Sequence, residues 1–130
     1  MIITSANSGR KANYSLSGTK LTIENQITID LQDKERTVER VIDVCLDRQL
    51  VTIREGLGAW YVANIIIPPR RYSYQPSGEK DENDEKIMEE VELPVDPSLV
   101  ELRLWGLPTQ YFENEDEESE DETNESEDDE

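Results

Sequence analysis

The last nineteen residues of this chain, Phe112 to Glu130, hold thirteen Asp or Glu side chains, no Lys or Arg and no aliphatic residue. Such a segment cannot bury enough apolar surface to offset its ordering entropy, and its like charges repel one another. A disordered acidic C-terminal tail is therefore expected over 112–130, which confines folding to residues 1–111. The remaining charge is also segregated. Residues 1–78 carry ten basic and eight acidic side chains, whereas Glu79 to Glu92 adds eight acids against Lys80 and Lys86. Most of the formal net charge of −18 thus sits in one tail and one internal segment. The nearly neutral remainder is of a length that suits one compact domain.

Within that domain the apolar residues alternate. Leu21, Ile23, Ile27, Ile29 and Leu31 all fall on odd positions, the period of a half-buried strand. The interruption at Asn25 fits one long strand with Asn25 inward, or a hairpin looping through Glu24-Asn25-Gln26. The hairpin is preferred. It sets Ile23 opposite Ile27 and Leu21 opposite Ile29, and Asn tolerates the left-handed backbone such a loop needs. Residues 34–46 fit two periods: Val38, Val41, Ile42 and Cys45 at helical spacing with Asp33 as cap, or Val38, Ile42, Val44 and Leu46 on one strand face. The β-branched content favours the strand. A two-residue turn at Asp47-Arg48 would then pair Val44 with Val51 and Ile42 with Ile53.

Farther along, Ala59 to Ile67 is apolar on both faces, as a strand covered on both sides would be, and Pro68-Pro69 ends it. Charge, Pro76 and Gly78 mark 76–90 as a flexible acidic loop. Val100, Leu102 and Leu104 alternate with Glu101, Arg103 and Trp105, giving a last strand. Residues 5–12 are small, polar and basic, and read as a loop or mobile arm. The fold expected is mostly β: a small antiparallel barrel or sandwich of about six to eight strands with at most one short helix.

Reactive chemistry is sparse. Histidine is absent and Cys45 is the only cysteine. No Ser-His or Cys-His pair and none of the common zinc or transition-metal sets can therefore be assembled. The carboxylates are plentiful, but they lie in segments expected to be too mobile to hold an acid and a base at fixed separation. No enzymatic activity, cofactor or metal is expected. Acidity disfavours nucleic acid and anionic membranes as partners and favours basic proteins. The N-terminal residues are too polar for a signal sequence, and no apolar run approaches the ~18 residues that cross a bilayer. A cytoplasmic protein is expected.

Partner contacts are assigned to Arg70, Arg71, Tyr72 and Tyr74, where two guanidinium groups stand beside two rings. The alternative is that these arginines pair with the domain's own acids while the tyrosines cover a sheet end. Ser119 and Ser126, each followed by acids, resemble acidophilic kinase sites. Trp60 and Trp105 are expected in the core or over a sheet, and Cys45 as a small semi-buried hydrophobe.

The runs Val41-Ile42-Asp43-Val44-Cys45-Leu46-Asp47-Arg48 and Trp60 through Tyr72, with Leu102-Arg103-Leu104-Trp105, resemble small proteins from the structural gene blocks of tailed phages and prophages. The resemblance spans roughly residues 12–106 and leaves out the acidic tail. It implies a β-rich, catalytically inert virion or tail-region component that acts through its surfaces, and it transfers no functional residue. Together these readings point to a non-catalytic structural or assembly protein, in a host cytoplasm before assembly into a virion. Its partners would be other virion components, basic proteins or further copies of itself. Two readings of another class stand beside it: an acidic inhibitor that mimics nucleic acid, and an acidic chaperone for basic proteins.

Overall fold

The computed structural model describes residues 1–113, and the tail expectation over 114–130, with Ser119 and Ser126, lies outside the described residues. The chain is mostly β. Strands β1 (Ile2–Ser5), β2 (Tyr14–Ser17), β3 (Lys20–Ile23) and β4 (Ile27–Asp30) lead into a single helical turn, α1 (Leu31–Lys34). Then follow β5 (Arg40–Leu46), β6 (Ile53–Glu55), β7 (Trp60–Ile67), β8 (Tyr72–Lys80), β9 (Lys86–Glu92), a 3-10 turn (Pro97–Leu99) and β10 (Glu101–Leu104). A further helical turn occupies 109–113.

These strands form a five-stranded sheet ordered β1-β10-β7-β5-β6, a three-stranded sheet ordered β2-β3-β4, and a two-stranded sheet of β8 and β9. All pairings are antiparallel except that of β1 with β10. None of the sheets closes into a barrel, and the strands outnumber the expected six to eight. Short segments with frequent turns generate three open sheets instead of one closed one. The larger two share a single core: Leu21, Ile23 and Ile29 of the small sheet cluster with Ile42, Val44, Leu46, Val62, Ile65, Ile67, Leu102 and Leu104 of the large one. The alternating odd face of β3 and β4 is what makes that possible, because period two places every apolar residue on one side.

The β3–β4 hairpin has the register its loop chemistry predicts: Ile23 opposes Ile27, Leu21 opposes Ile29, and Glu24 and Asn25 both adopt positive φ. The β5–β6 hairpin departs from expectation. Within the 34–46 segment the strand begins only at Arg40, and Val38, expected on its apolar face, is exposed. Leu46 opposes Ile53 and Val44 opposes Glu55, a longer connection than a turn at Asp47-Arg48. The Asp47 carboxylate explains the length. It accepts the Val51 and Thr52 N–H groups at 3.0 and 3.2 Å, while Leu50 takes φ 62°. The helical turn α1 is capped by Asp30, whose Oδ1 accepts from Gln32 N.

Two terminal segments are built into the body. β1 extends the large sheet, and the loop after it is held by Asn7 Oδ1, which accepts Gly106 N at 2.6 Å. Gly9 and Gly106 face one another there; a Cβ on Gly106 would collide with the Ser8 carbonyl, so the crossing requires glycine. The segment expected as a loop or mobile arm at 5–12 is, after Ser5, a loop, and it is tied to the end of β10. At the other terminus, Tyr111 is buried and its hydroxyl donates to Glu24 Oε1 at 2.7 Å. Phe112 packs edge-on against Tyr111 and lies under the Arg10 guanidinium, so it belongs to the body and the expected boundary at 111 falls too early.

Candidate protein-contact surfaces

The segment expected as a flexible acidic loop at 76–90 is instead most of a β-hairpin, which we call the arm. Tyr72 opposes Glu92, Tyr74 opposes Glu90 and Pro76 opposes Met88. A bulge at 77–79, with Gly78 at φ 94°, brings Lys80 opposite Lys86. At the tip, Asp81 Oδ1 accepts the N–H groups of Asn83 and Glu85 at 2.8 and 2.9 Å, and Asp84 adopts φ 66°. A carboxylate that organises its own turn substitutes for the Asn-Gly signal expected of a tight hairpin. Pro76 is tolerated because β8 has a free edge and the bulge follows.

Pleating gives the arm two unlike faces. Tyr72, Tyr74, Pro76 and Met88 share one, with Glu90 and Glu92 nearer the body and Lys80 and Lys86 nearer the tip. Tyr74 is 71% exposed and Met88 51%. Among the described residues β8 and β9 pair only with each other, and no residue of this apolar stripe belongs to the core cluster.

The four residues assigned to partner contact divide at the root of the arm. Arg70 Nε lies 2.6 Å from Glu92 Oε1 and 3.6 Å from the buried Glu35 carboxylate, as an ion pair rather than an aligned hydrogen bond. Arg70 Nη2 donates to the Glu35 carbonyl at 3.0 Å, and Arg71 Nη2 donates to the Pro94 carbonyl at 3.1 Å. Both guanidinium groups therefore tie the arm to its own body. Tyr72 and Tyr74 stand beyond them on the exposed stripe, with the Tyr74 hydroxyl 3.3 Å from Glu90 Oε2.

A second surface lies on the face of the five-stranded sheet turned away from the core. Registration places Val41, Ile66 and Glu101 in one row and Asp43, Asn64 and Arg103 in the next. The irregularity beside Val44 then turns Tyr61 outward, next to Trp105. The result is a groove of about 460 Å³ with β7 as its floor and β5 and β10 as its walls; Glu39 also lines it. Its aromatic end is held rigidly. Tyr61 and Trp105 stack with centroids 5.2 Å apart, Trp105 Nε1 donates to Asn64 Oδ1 at 2.6 Å, and Asn64 Nδ2 donates to Asp43 Oδ1 at 2.8 Å. Asn64 is buried, and both ends of its amide are satisfied. Glu101 and Arg103 form an ion pair at 3.2 Å on the rim. Sequence reading missed this groove, although Asn64 was the one polar residue in the apolar run and the available signal.

Trp105 falls where expected, and Cys45 lies deeper than the semi-buried position expected of it. Trp105 covers the outer sheet face, and Trp60 donates to the Gly106 carbonyl. Cys45 is buried, and burial pushes its thiol pKa up. Among the described residues no helix is long and apolar enough to cross a membrane. No family model, curated protein or solved structure matches the chain.

Proposed function

We propose that this is a non-catalytic assembly protein that works through protein–protein contacts, with the arm as its principal contact element. One observation carries the reading: Tyr72, Tyr74, Pro76 and Met88 form an exposed apolar stripe on a hairpin that contributes nothing to the core. A two-stranded hairpin is marginally stable by itself in water. Tyr and Met are enriched at interfaces because they bring large contact area with adaptable packing. A partner laid on the stripe would remove that area from water. The resemblance to phage structural proteins suggests a virion or tail region as the setting.

A second reading, the acidic decoy, gains from the same hairpin. Glu89, Glu90 and Glu92 sit on paired strands, and a nucleic-acid mimic needs carboxylates fixed in space. Co-purification from cells that express the protein naturally separates the two. The comparison uses the full chain, a Tyr72→Ser/Tyr74→Ser variant and a chain ended at Glu113, at low and high salt. The assembly reading expects the double variant to lose its partners and the shortened chain to keep them. Loss of a basic partner on shortening, with steep salt dependence and an indifferent double variant, would replace it with the decoy.

A further inference from the structure

The outer-sheet groove sets carboxylates around an apolar floor, and that lining selects its occupant by charge. We infer that the groove receives an extended segment of a basic protein, which seats a Lys or Arg side chain at each end. This assigns a second contact surface, beyond the arm and independent of it.

Apolar area and spacing come first. Val41 is 53% exposed and Tyr61 41%, Ile66 and Trp105 are half-buried, and the exposed Ile2 continues the Val41–Ile66–Glu101 row onto β1. β7 is hydrogen-bonded on both sides, so no strand can add to it and recognition runs through side chains. The floor from Ile66 to Tyr61 is about 15 Å long, and the Ile66 and Asn64 rows lie about 7 Å apart at the rise of an extended strand. An extended peptide presents alternate side chains to one face at that same interval.

Charge decides what those side chains are. Glu39 and Glu101 line the groove with one cation, Arg103, and Asp43 stands in the Asn64 row. Arg103 is already engaged: its Nε and Nη2 both approach Glu101 Oε2, at 3.3 and 3.2 Å. Among the described residues no salt bridge reaches Glu39 or Asp43. An acidic or purely apolar occupant would desolvate these carboxylates without compensation. The arm of a second copy, with eight acids against two lysines between Glu79 and Glu92, fails on the same count.

Each end of the groove joins an apolar surface to a carboxylate, and a long cationic side chain is what needs both at once. At one end a Lys or Arg stem lies along Val41 and Ile66 with its head toward Glu39 and Glu101. At the other, the Tyr61–Trp105 stack held by Asn64 offers aromatic faces one row from Asp43, where a guanidinium stacks by cation–π attraction. The middle position, over Asn64 and the paired Arg103, is left to a neutral side chain.

NMR of the full-length chain tests this, because the two tryptophans supply separate indole N–H reporters. Trp105 lies in the groove, and Trp60 is bonded to the Gly106 carbonyl outside it. The probe is a blocked five-residue peptide with Lys first, Arg fifth and Ser between; the control has the same composition with Lys and Arg adjacent. The probe should shift the Trp105 indole saturably, leave that of Trp60 in place, and bind about tenfold more tightly than the control. Glu39→Gln/Tyr61→Ser, at two exposed positions and with folding checked by circular dichroism, should weaken the probe by about tenfold as well. The arm variant Tyr72→Ser/Tyr74→Ser should bind it like the parent; loss of binding there would move the site to the arm and overturn the groove. A Trp105 indole that never moves, shifts confined to residues 114–130, equal binding of both peptides, or equal binding of a probe with norleucine in place of Lys and Arg would each overturn it too. Failure at the groove leaves the arm's stripe to the co-purification test, so the two readings fall separately.

Discussion

Replacing Asn64 by Ala removes the amide that joins Trp105 to Asp43 beneath the groove, and its cost follows from the two hydrogen bonds that this amide makes. The Trp105 indole N–H donates to Asn64 Oδ1 at 2.6 Å, a neutral hydrogen bond of about 1 kcal/mol net, and is left without that acceptor in a half-buried setting. The Nδ2 donation to the Asp43 carboxylate at 2.8 Å is charge-assisted and contributes about 1.5 kcal/mol or more. Asn and Ala are both poor strand formers, so backbone preference changes little. The expected destabilisation is about 2–3 kcal/mol. For a body of this size that lowers the thermal midpoint by about 10 °C, using the typical unfolding entropy per residue. Thermal unfolding followed by circular dichroism measures it, and near-ultraviolet ellipticity should weaken as the Tyr61–Trp105 stack loosens. A double-mutant cycle with Asp43→Ala should give a coupling of about 1 kcal/mol, since the two side chains share one bond. A midpoint within ~2 °C of the parent, with unchanged near-ultraviolet signal, would refute the claim that Asn64 organises this face.

Two further outcomes follow from particular interactions. The Val51 N–H, and then that of Thr52, hold the Asp47 carboxyl below its usual 3.8, so the stability it contributes is present above that value and is lost as pH falls through the lowered one; an NMR titration placing Asp47 at or above 3.8 would contradict this. A chain ended at Tyr111 should melt about 5 °C below one ended at Glu113, because it lacks the Phe112 ring against Tyr111 and under Arg10; equal midpoints would show that the ring contributes nothing.

How much of this was legible in the sequence depended on whether a local signal decided the structure. The hairpin through Glu24 and Asn25 was readable because alternation and loop chemistry agreed on one register. The strand over 40–46 was readable from its β-branched residues, but its partner register was not. A side-chain acceptor, Asp47, lengthened the turn, and Asp-Arg carries no hint of that. The arm was missed because Pro76, Gly78 and a run of acids are loop signals one at a time. Their assembly around a bulge and the Asp81 turn is visible only once the strands are paired. The groove depends on residues from β5, β7 and β10, far apart in sequence, and no single segment announces it. Arg70 and Arg71 illustrate the opposite limit. Residue type left partner contact and pairing within the domain both open for them, and the structure engages them with Glu35, Glu92 and the Pro94 carbonyl.

The segregation of charge acquires a structural meaning from the arm. The eight acids between Glu79 and Glu92 are carried by a projecting ribbon, set apart from the core by the Arg70 and Arg71 ties at its root. A ribbon with that much negative charge repels indiscriminate strand addition at its free edges, which is how natural edge strands avoid aggregation. Its apolar stripe can then be covered only where a partner places cations and anions in the right order. Specificity on this reading arises from repulsion as much as from attraction. The uncharged stripe supplies contact area, and the surrounding Glu and Lys residues restrict which surface can use it. Salt should therefore have opposite effects on the two kinds of association: screening weakens the ordered arm contact, and it relaxes the barrier to unspecific pairing along β8 and β9.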